Sequence, residues 1–168
     1  MAQDESVSPS PSRAQQILYS ERQPVPFTWW LGATGVVALI SYQAQMQREI
    51  WAAIACAVVF GALALWLLLK FSRTTISVVR ESDGEIWLHA GDAQLPASVV
   101  SRSLVIPPTA KQAAMGRQLD PAAFVVHKPW IPTMAMFVLD DADDPTPYWL
   151  ISTKEPQALV DALGRPVY

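Results

Sequence analysis

At 168 residues, of which 51% are hydrophobic and only 16% charged, the chain has room for one membrane-associated element and one small folded domain. A net charge of -3 without a long Lys or Arg run argues against a nucleic-acid partner. The single cysteine, Cys56, excludes an intrachain disulfide. It lies in an apolar run, where burial would raise a thiol's pKa, and reads as a packing residue.

In chain order, residues 1–16 (MAQDESVSPSPSRAQQ) hold almost no bulky apolar side chains and read as a disordered tail. Residues 17–26 mix apolar and charged side chains, and Pro24 and Pro26 prevent a continuous helix. The expectation is a separate extended or short helical segment at a membrane interface. Acidic residues before the first apolar run, and no small-residue cleavage site after it, speak against a secretory leader.

Residues 27–69 then read as a transmembrane hairpin, with helices over about 27–46 and 50–70 and no charged side chain in their apolar runs, 27–42 and 50–69. Trp29 and Trp30 mark the headgroup level. Gly32, Gly35 and Ala38 are expected to pack against Ala52, Ala55, Val59 and Ala62. Arg13, Arg22, Lys70, Arg73 and Arg80 flank the hairpin against Arg48 alone in its loop. That bias places both termini in the cytoplasm, in a plasma-membrane protein with two spans.

From residue 74 to 168 the period changes to two. Strands are expected at 74–80, 85–89, 93–95, 99–106, 123–128, 133–139 and 148–152. A short helix capped by Thr109 should run over 109–115. A final amphipathic helix should be capped by Thr153, carry Leu159, Val160 and Leu163 on its apolar face, and end at Gly164. The fold class is thus α+β: a two-helix hairpin, then a small strand-rich domain of pleckstrin-homology-like outline with a C-terminal helix.

Chemistry finds little to stand on. His89 and His127 are the only histidines, and neither has a second ligand at metal spacing; His127 reads as part of an exposed hairpin with Lys128. The Asp140-Asp-Ala-Asp-Asp144 run lacks the Gly and distal Glu of a calcium loop and reads as a solvated turn. No nucleophile elbow, phosphate loop or zinc-protease helix is present. The apolar runs hold no ionisable group of the kind that proton relays and transporters use. Catalytic residues, metal and cofactor are all expected to be none. Lys70, Arg73 and Arg80 make anionic lipid a candidate ligand.

Tyr19-Ser-Glu-Arg before Trp-rich paired spans, Leu119-Asp-Pro-Ala-Ala-Phe-Val-Val, Lys128-Pro-Trp and Asp143-Asp-Pro-Thr-Pro-Tyr-Trp together resemble the actinobacterial membrane proteins classed as domain of unknown function 3093. The resemblance covers residues 17 to 163. It implies an actinobacterial plasma membrane and transfers no catalytic residue. By analogy with other small subunits of this build, it suggests an accessory or assembly subunit of a larger membrane complex, such as the respiratory cytochrome bcc–aa3 supercomplex. The alternative is a membrane-tethered module binding lipid head groups or a peptide. The residues put forward as partner contacts are Tyr19, Glu21, Arg22, Trp29, Trp30, Gly32, Gly35, Trp130, Tyr148 and Trp149.

Overall fold

The computed structural model describes residues 15–47, 50–141 and 144–164. The expected tail, apart from its last two residues, and Arg48 lie outside the described residues. Strand β1 (Gln16–Arg22) precedes helices α1 (Phe27–Gln47) and α2 (Ile50–Ser72). Then come β2 (Thr75–Arg80), β3 (Ile86–Ala90), β4 (Ala93–Pro96), β5 (Val100–Ile106) and α3 (Pro108–Met115). The chain continues through β6 (Phe124–Val126), β7 (Met134–Leu139) and β8 (Tyr148–Ser152) to α4 (Pro156–Leu163).

The strands form two four-stranded sheets, in the orders β1-β2-β3-β4 and β5-β7-β8-β6. All neighbours are antiparallel except β6 and β8, which run parallel from Phe124↔Trp149 to Val126↔Ile151. Alternation puts Ile76, Val78 and Leu88 on the inner face of the first sheet, and Phe137, Trp149 and Ile151 on that of the second. Leu159, Val160 and Leu163, spaced to share one helix face, bring α4 across the same core. A smaller cluster of Ile106, Met134 and Leu150 is covered by Ala114 of α3.

Three expectations change. Residues 17–26 are not a separate interfacial segment. Their first part is β1, paired with β2 over six positions from Gln16↔Arg80 to Arg22↔Thr75. The strand-rich domain therefore does not begin at residue 74, and the helical pair is inserted between two neighbouring strands of one sheet. Backbone joins the entry and exit of the helical pair, since the Gln23 N–H donates to the Thr74 carbonyl at 3.2 Å.

The helix–helix face is also rotated from the expected one. Half-buried positions on α1 are Trp30, Ala33, Val37, Ile40, Ser41 and Ala44. On α2 they include the expected Ala52 with Ala53, Cys56, Gly61 and Ala64, with Leu68 buried, while the expected Ala55, Val59 and Ala62 are exposed. Gly32 and Gly35 are exposed, and a Cβ on either would meet nothing within 4 Å. The small residues that let the backbones approach are thus one position further round α1 than the glycine spacing suggested.

Third, α4 starts at an N-cap, Glu155, that makes no side-chain cap bond. Thr153 instead accepts from the Glu155 N–H at 3.3 Å and turns its own hydroxyl to Glu21. Likewise α3 begins at Pro108 behind an extended Pro107, so Thr109 is not its cap. Gly164 does end α4, in the left-handed region at φ 69°.

Among the described residues one helix, α2, is long and apolar enough to cross a membrane. At 21 residues α1 is nearly as long, roughly 31 Å at 1.5 Å per residue. Thr28, Thr34, Ser41, Gln43, Gln45 and Gln47 make it less apolar, and it does not meet the same standard.

Candidate functional site at the joint between helices and sheets

The helical pair and the sheets meet in a polar joint. Gln23, fully buried just after β1, donates from Nε2 to the Ser152 carbonyl at 2.6 Å. The Val25 N–H donates to Ser72 Oγ at 3.1 Å, tying the entry of α1 to the last residue of α2. Lys128 closes the joint. Only 6% exposed, its ammonium donates to the Phe71 carbonyl at 3.1 Å and to Thr74 Oγ1 at 2.7 Å. It also sits 5.5 Å from the Phe71 ring centroid and 5.4 Å from that of Trp130.

The physical reason is the end of α2. The last carbonyls of a helix have no intrahelical donor and carry the negative end of its dipole. A lysine there supplies both a donor and a charge, and two aromatic faces replace part of its lost hydration. Burial still holds the Lys128 pKa below its ordinary value. Ser152 Oγ accepts from the Lys128 N–H at 3.0 Å, which fixes the loop to β8. The expected exposed hairpin of His127 with Lys128 is half correct: His127 is exposed, and Lys128 is not.

Loop 127–131 is held from the other side by Lys111 of α3. Its ammonium donates to the carbonyls of Lys128, at 3.1 Å, and Ile131. Burial lowers the Lys111 pKa. Burial, with the Lys111 charge adding to it, lowers that of His127. Trp130 projects from this loop onto Trp29 in the first turn of α1, edge to face at 5.4 Å and 70°.

A second polar cluster pins β1 to the start of α4. Glu21 accepts from Tyr19 Oη at 2.8 Å, from the Thr153 hydroxyl, and from the Lys154 N–H at 3.1 Å. Burial pushes the Tyr19 phenol well above its ordinary pKa; the Thr153 hydroxyl opposes this and the Glu21 carboxylate reinforces it. Tyr19 and Glu21, expected as partner contacts, thus have internal work. Arg22 beside them is exposed.

The other expected contact residues divide. Trp149 is 6% exposed in the core and packs on Phe124 at 4.3 Å, so it is not a contact residue. Tyr148 Oη accepts from the Asp120 N–H at 2.7 Å and donates to the Gln118 carbonyl at 3.3 Å, stapling the loop before β6. Trp29, Gly32 and Gly35 lie exposed on α1, while Trp30 is half-buried beside the groove between the helices.

His89 is the penultimate residue of β3, opposite Ser77 and Gln94. In the aspartate run, Asp144 accepts from the Thr146 N–H at 2.9 Å, and its bonds with Thr146 hold its pKa down. Asp143 lies outside the described residues. Among the described residues no three His, Cys, Asp or Glu side chains gather as a metal site would require.

Strand register also sorts the charges along the domain. Arg22 and Thr75 pair at the end next to the helices, and Arg80 pairs with Ile86 at the far end. Arg80, expected near the membrane with Lys70 and Arg73, is therefore at the opposite pole. Lys111, Lys128 and Lys154 join Arg22, Lys70 and Arg73 at the near end. Glu81, Asp83 and Glu85 form the β2–β3 turn at the far end. Asp120 and Asp140 lie there too, through Tyr148 and Val99, with Asp144 just before β8.

Comparison with known protein families gives a match over most of the chain. A family described as a protein of unknown function, DUF3093, matches residues 18–163. No curated protein and no solved structure matches the chain.

Proposed function

The chain belongs to the DUF3093 family, and we propose that it is a non-enzymatic accessory subunit, a two-span anchor that docks a small domain against a larger integral complex of the actinobacterial plasma membrane. The observation that carries this reading is the insertion of the helical pair between β1 and β2. Paired strands on either side force the start of α1 and the end of α2 to the same side. The packing of α1 along α2 supports its sharing the depth of α2, and with it the reading of two spans.

The polar groups of α1 fit that depth. Thr34 donates to the Trp30 carbonyl at 2.9 Å and Ser41 to that of Val37 at 2.8 Å, so neither hydroxyl would go unsatisfied in hydrocarbon. Phe27, Leu31, Val36 and Leu39 on α1, and Ile54, Val58, Leu65 and Trp66 on α2, remain exposed. Such a surface needs lipid or protein to cover it. Neither helix carries a charged residue before Lys70, which favours docking over conduction or proton transfer. Basic residues at the near end support a cytoplasmic domain and cytoplasmic termini. The pleckstrin-homology-like outline belongs to this reading, as two sheets closed by a C-terminal helix that present a binding surface.

Affinity purification from native membranes in mild detergent tests it. A stoichiometric integral partner is expected, with the cytochrome bcc–aa3 supercomplex the first to look for; emergence of the chain alone and monomeric overturns the reading. Topology is tested separately in a Cys56→Ser background. Gln45→Cys should react with an impermeant maleimide on intact cells, while Asp83→Cys should react only after lysis. Reaction of both from one side would rule out two spans.

A further inference from the structure

We propose that the helix-proximal end of the β domain, centred on loop 127–132, is a docking surface for the anionic headgroups of the membrane that the helices cross. This rests on the membrane placement argued above and adds the posture of the domain: pressed on the bilayer rather than held away from it.

Two independent observations point to a lipid surface as the occupant. The first is continuity with the membrane helices. Lys128 reaches the Phe71 carbonyl in the last turn of α2, and Trp130 touches Trp29 in the first turn of α1. The loop therefore lies within a side-chain length of the level where both helices end. Pro129, Pro132 and His127 are its exposed residues, and Trp130 extends the aromatic level set by Trp29, where amphipathic rings are favoured.

The second is charge polarity. Arg22, Lys70, Arg73 and Lys154 are exposed around this end, whereas at the other end the exposed Asp83, Asp120, Asp140 and Asp144 outnumber the exposed Arg80, Arg102 and Arg117 and leave it net acidic. An anionic leaflet attracts the first group, within about one Debye length of roughly 8 Å, and repels the second. Both forces turn the same end down. Among the near-end acids, Glu21 is occupied by Thr153 and Lys154, leaving Asp92 and Glu155 exposed against the four cations.

The full chain in nanodiscs provides the test, with phosphatidylcholine alone or mixed with phosphatidylglycerol. In a Cys56→Ser background, a nitroxide is placed on Pro129→Cys or on Asp83→Cys, and collisions with a water-soluble nickel chelate are measured. His127→Cys replaces the first site if circular dichroism shows that Pro129→Cys has lost its strands. The label at 129 should be shielded from the chelate, more strongly with phosphatidylglycerol, while the label at 83 is struck freely in both discs. Arg73→Glu combined with Lys154→Glu should abolish the dependence on phosphatidylglycerol.

Equal exposure of both labels in an inserted chain would overturn the docked posture. Shielding at 129 that ignores lipid charge would overturn the anionic partner, as would a charge-reversed double variant that behaves like its parent. Failure to enter the discs at all would instead remove the membrane reading, and this proposal with it.

Discussion

A fragment of residues 74–168 should fail to fold, whereas residues 15–23 joined to residues 74–168 by a short glycine-containing turn should fold without the helices. The fragment lacks β1, and with it the pairing of six positions along β2. It also loses Leu18 and Tyr19 from the core edge, and Gln23 from beneath the Ser152 carbonyl. Each backbone hydrogen bond contributes about 1 kcal/mol net, and each large apolar side chain about 1.5–3 kcal/mol when fully buried. Together these losses are comparable with the roughly 5–15 kcal/mol that a domain has in total. The Thr153 hydroxyl and Lys154 N–H lose Glu21 as well. In the joined version, Gln23 and Thr74 are already backbone neighbours at 3.2 Å, so an ordinary hairpin turn replaces the helical pair. Urea unfolding followed by tryptophan fluorescence should show a cooperative transition for the joined chain and none for the fragment. A cooperative transition in residues 74–168 alone would show that β1 is dispensable.

The same strand shows what could be read from the sequence. The seven strands after residue 74 are legible because β-branched residues alternate and turn residues bound them, as in Thr75–Arg80 before Asp83-Gly84. Gln16–Arg22 carries little of that pattern: Ile17 is 67% exposed, and Leu18 and Tyr19 are only half-buried. Its partner strand lies beyond both helices, so no local signal announces it. Pairing at that separation is decided by tertiary structure. The helix face was misplaced for a related reason, since glycines mark where backbones can approach without saying which neighbour does so. Lys128 was misplaced because a Lys-Pro-Trp run reads as exposed until the carbonyls of α2 arrive to accept from it. The joint has no local signature, because its partners come from the segment after β1, the end of α2, loop 127–131 and β8, which only the fold brings together.

Lys128→Glu should be the most damaging single substitution at that joint. It would set a buried carboxylate against the Phe71 carbonyl and the negative end of α2, where Lys128 now makes two hydrogen bonds at 3.1 and 2.7 Å. An uncompensated charge in such a site costs about 3–5 kcal/mol. Lys128→Met should be milder, because it removes the burial penalty together with the bonds and keeps the stem's packing between Phe71 and Trp130. The two variants also differ from the parent in pH dependence. Burial lowers the folded-state pKa of Lys128 below 10.5, so between the two values the unfolded chain holds more protons. Stability from this group therefore rises with pH across that window and is least below it. Lys111 contributes a slope of the same sign. Tyr19, whose folded-state pKa is raised, contributes one of opposite sign above its unfolded pKa of 10.0. The difference between parent and Lys128→Met isolates the Lys128 part. Denaturant unfolding in detergent from neutral to alkaline pH should rank the parent above Lys128→Met and Lys128→Glu last. The parent should also gain on Lys128→Met as pH rises toward 10.5. Equal stability of the parent and Lys128→Glu would mean that the ammonium does not hold the helices to the sheets, and the joint would then rest on Gln23, Ser72 and the Trp29–Trp130 contact.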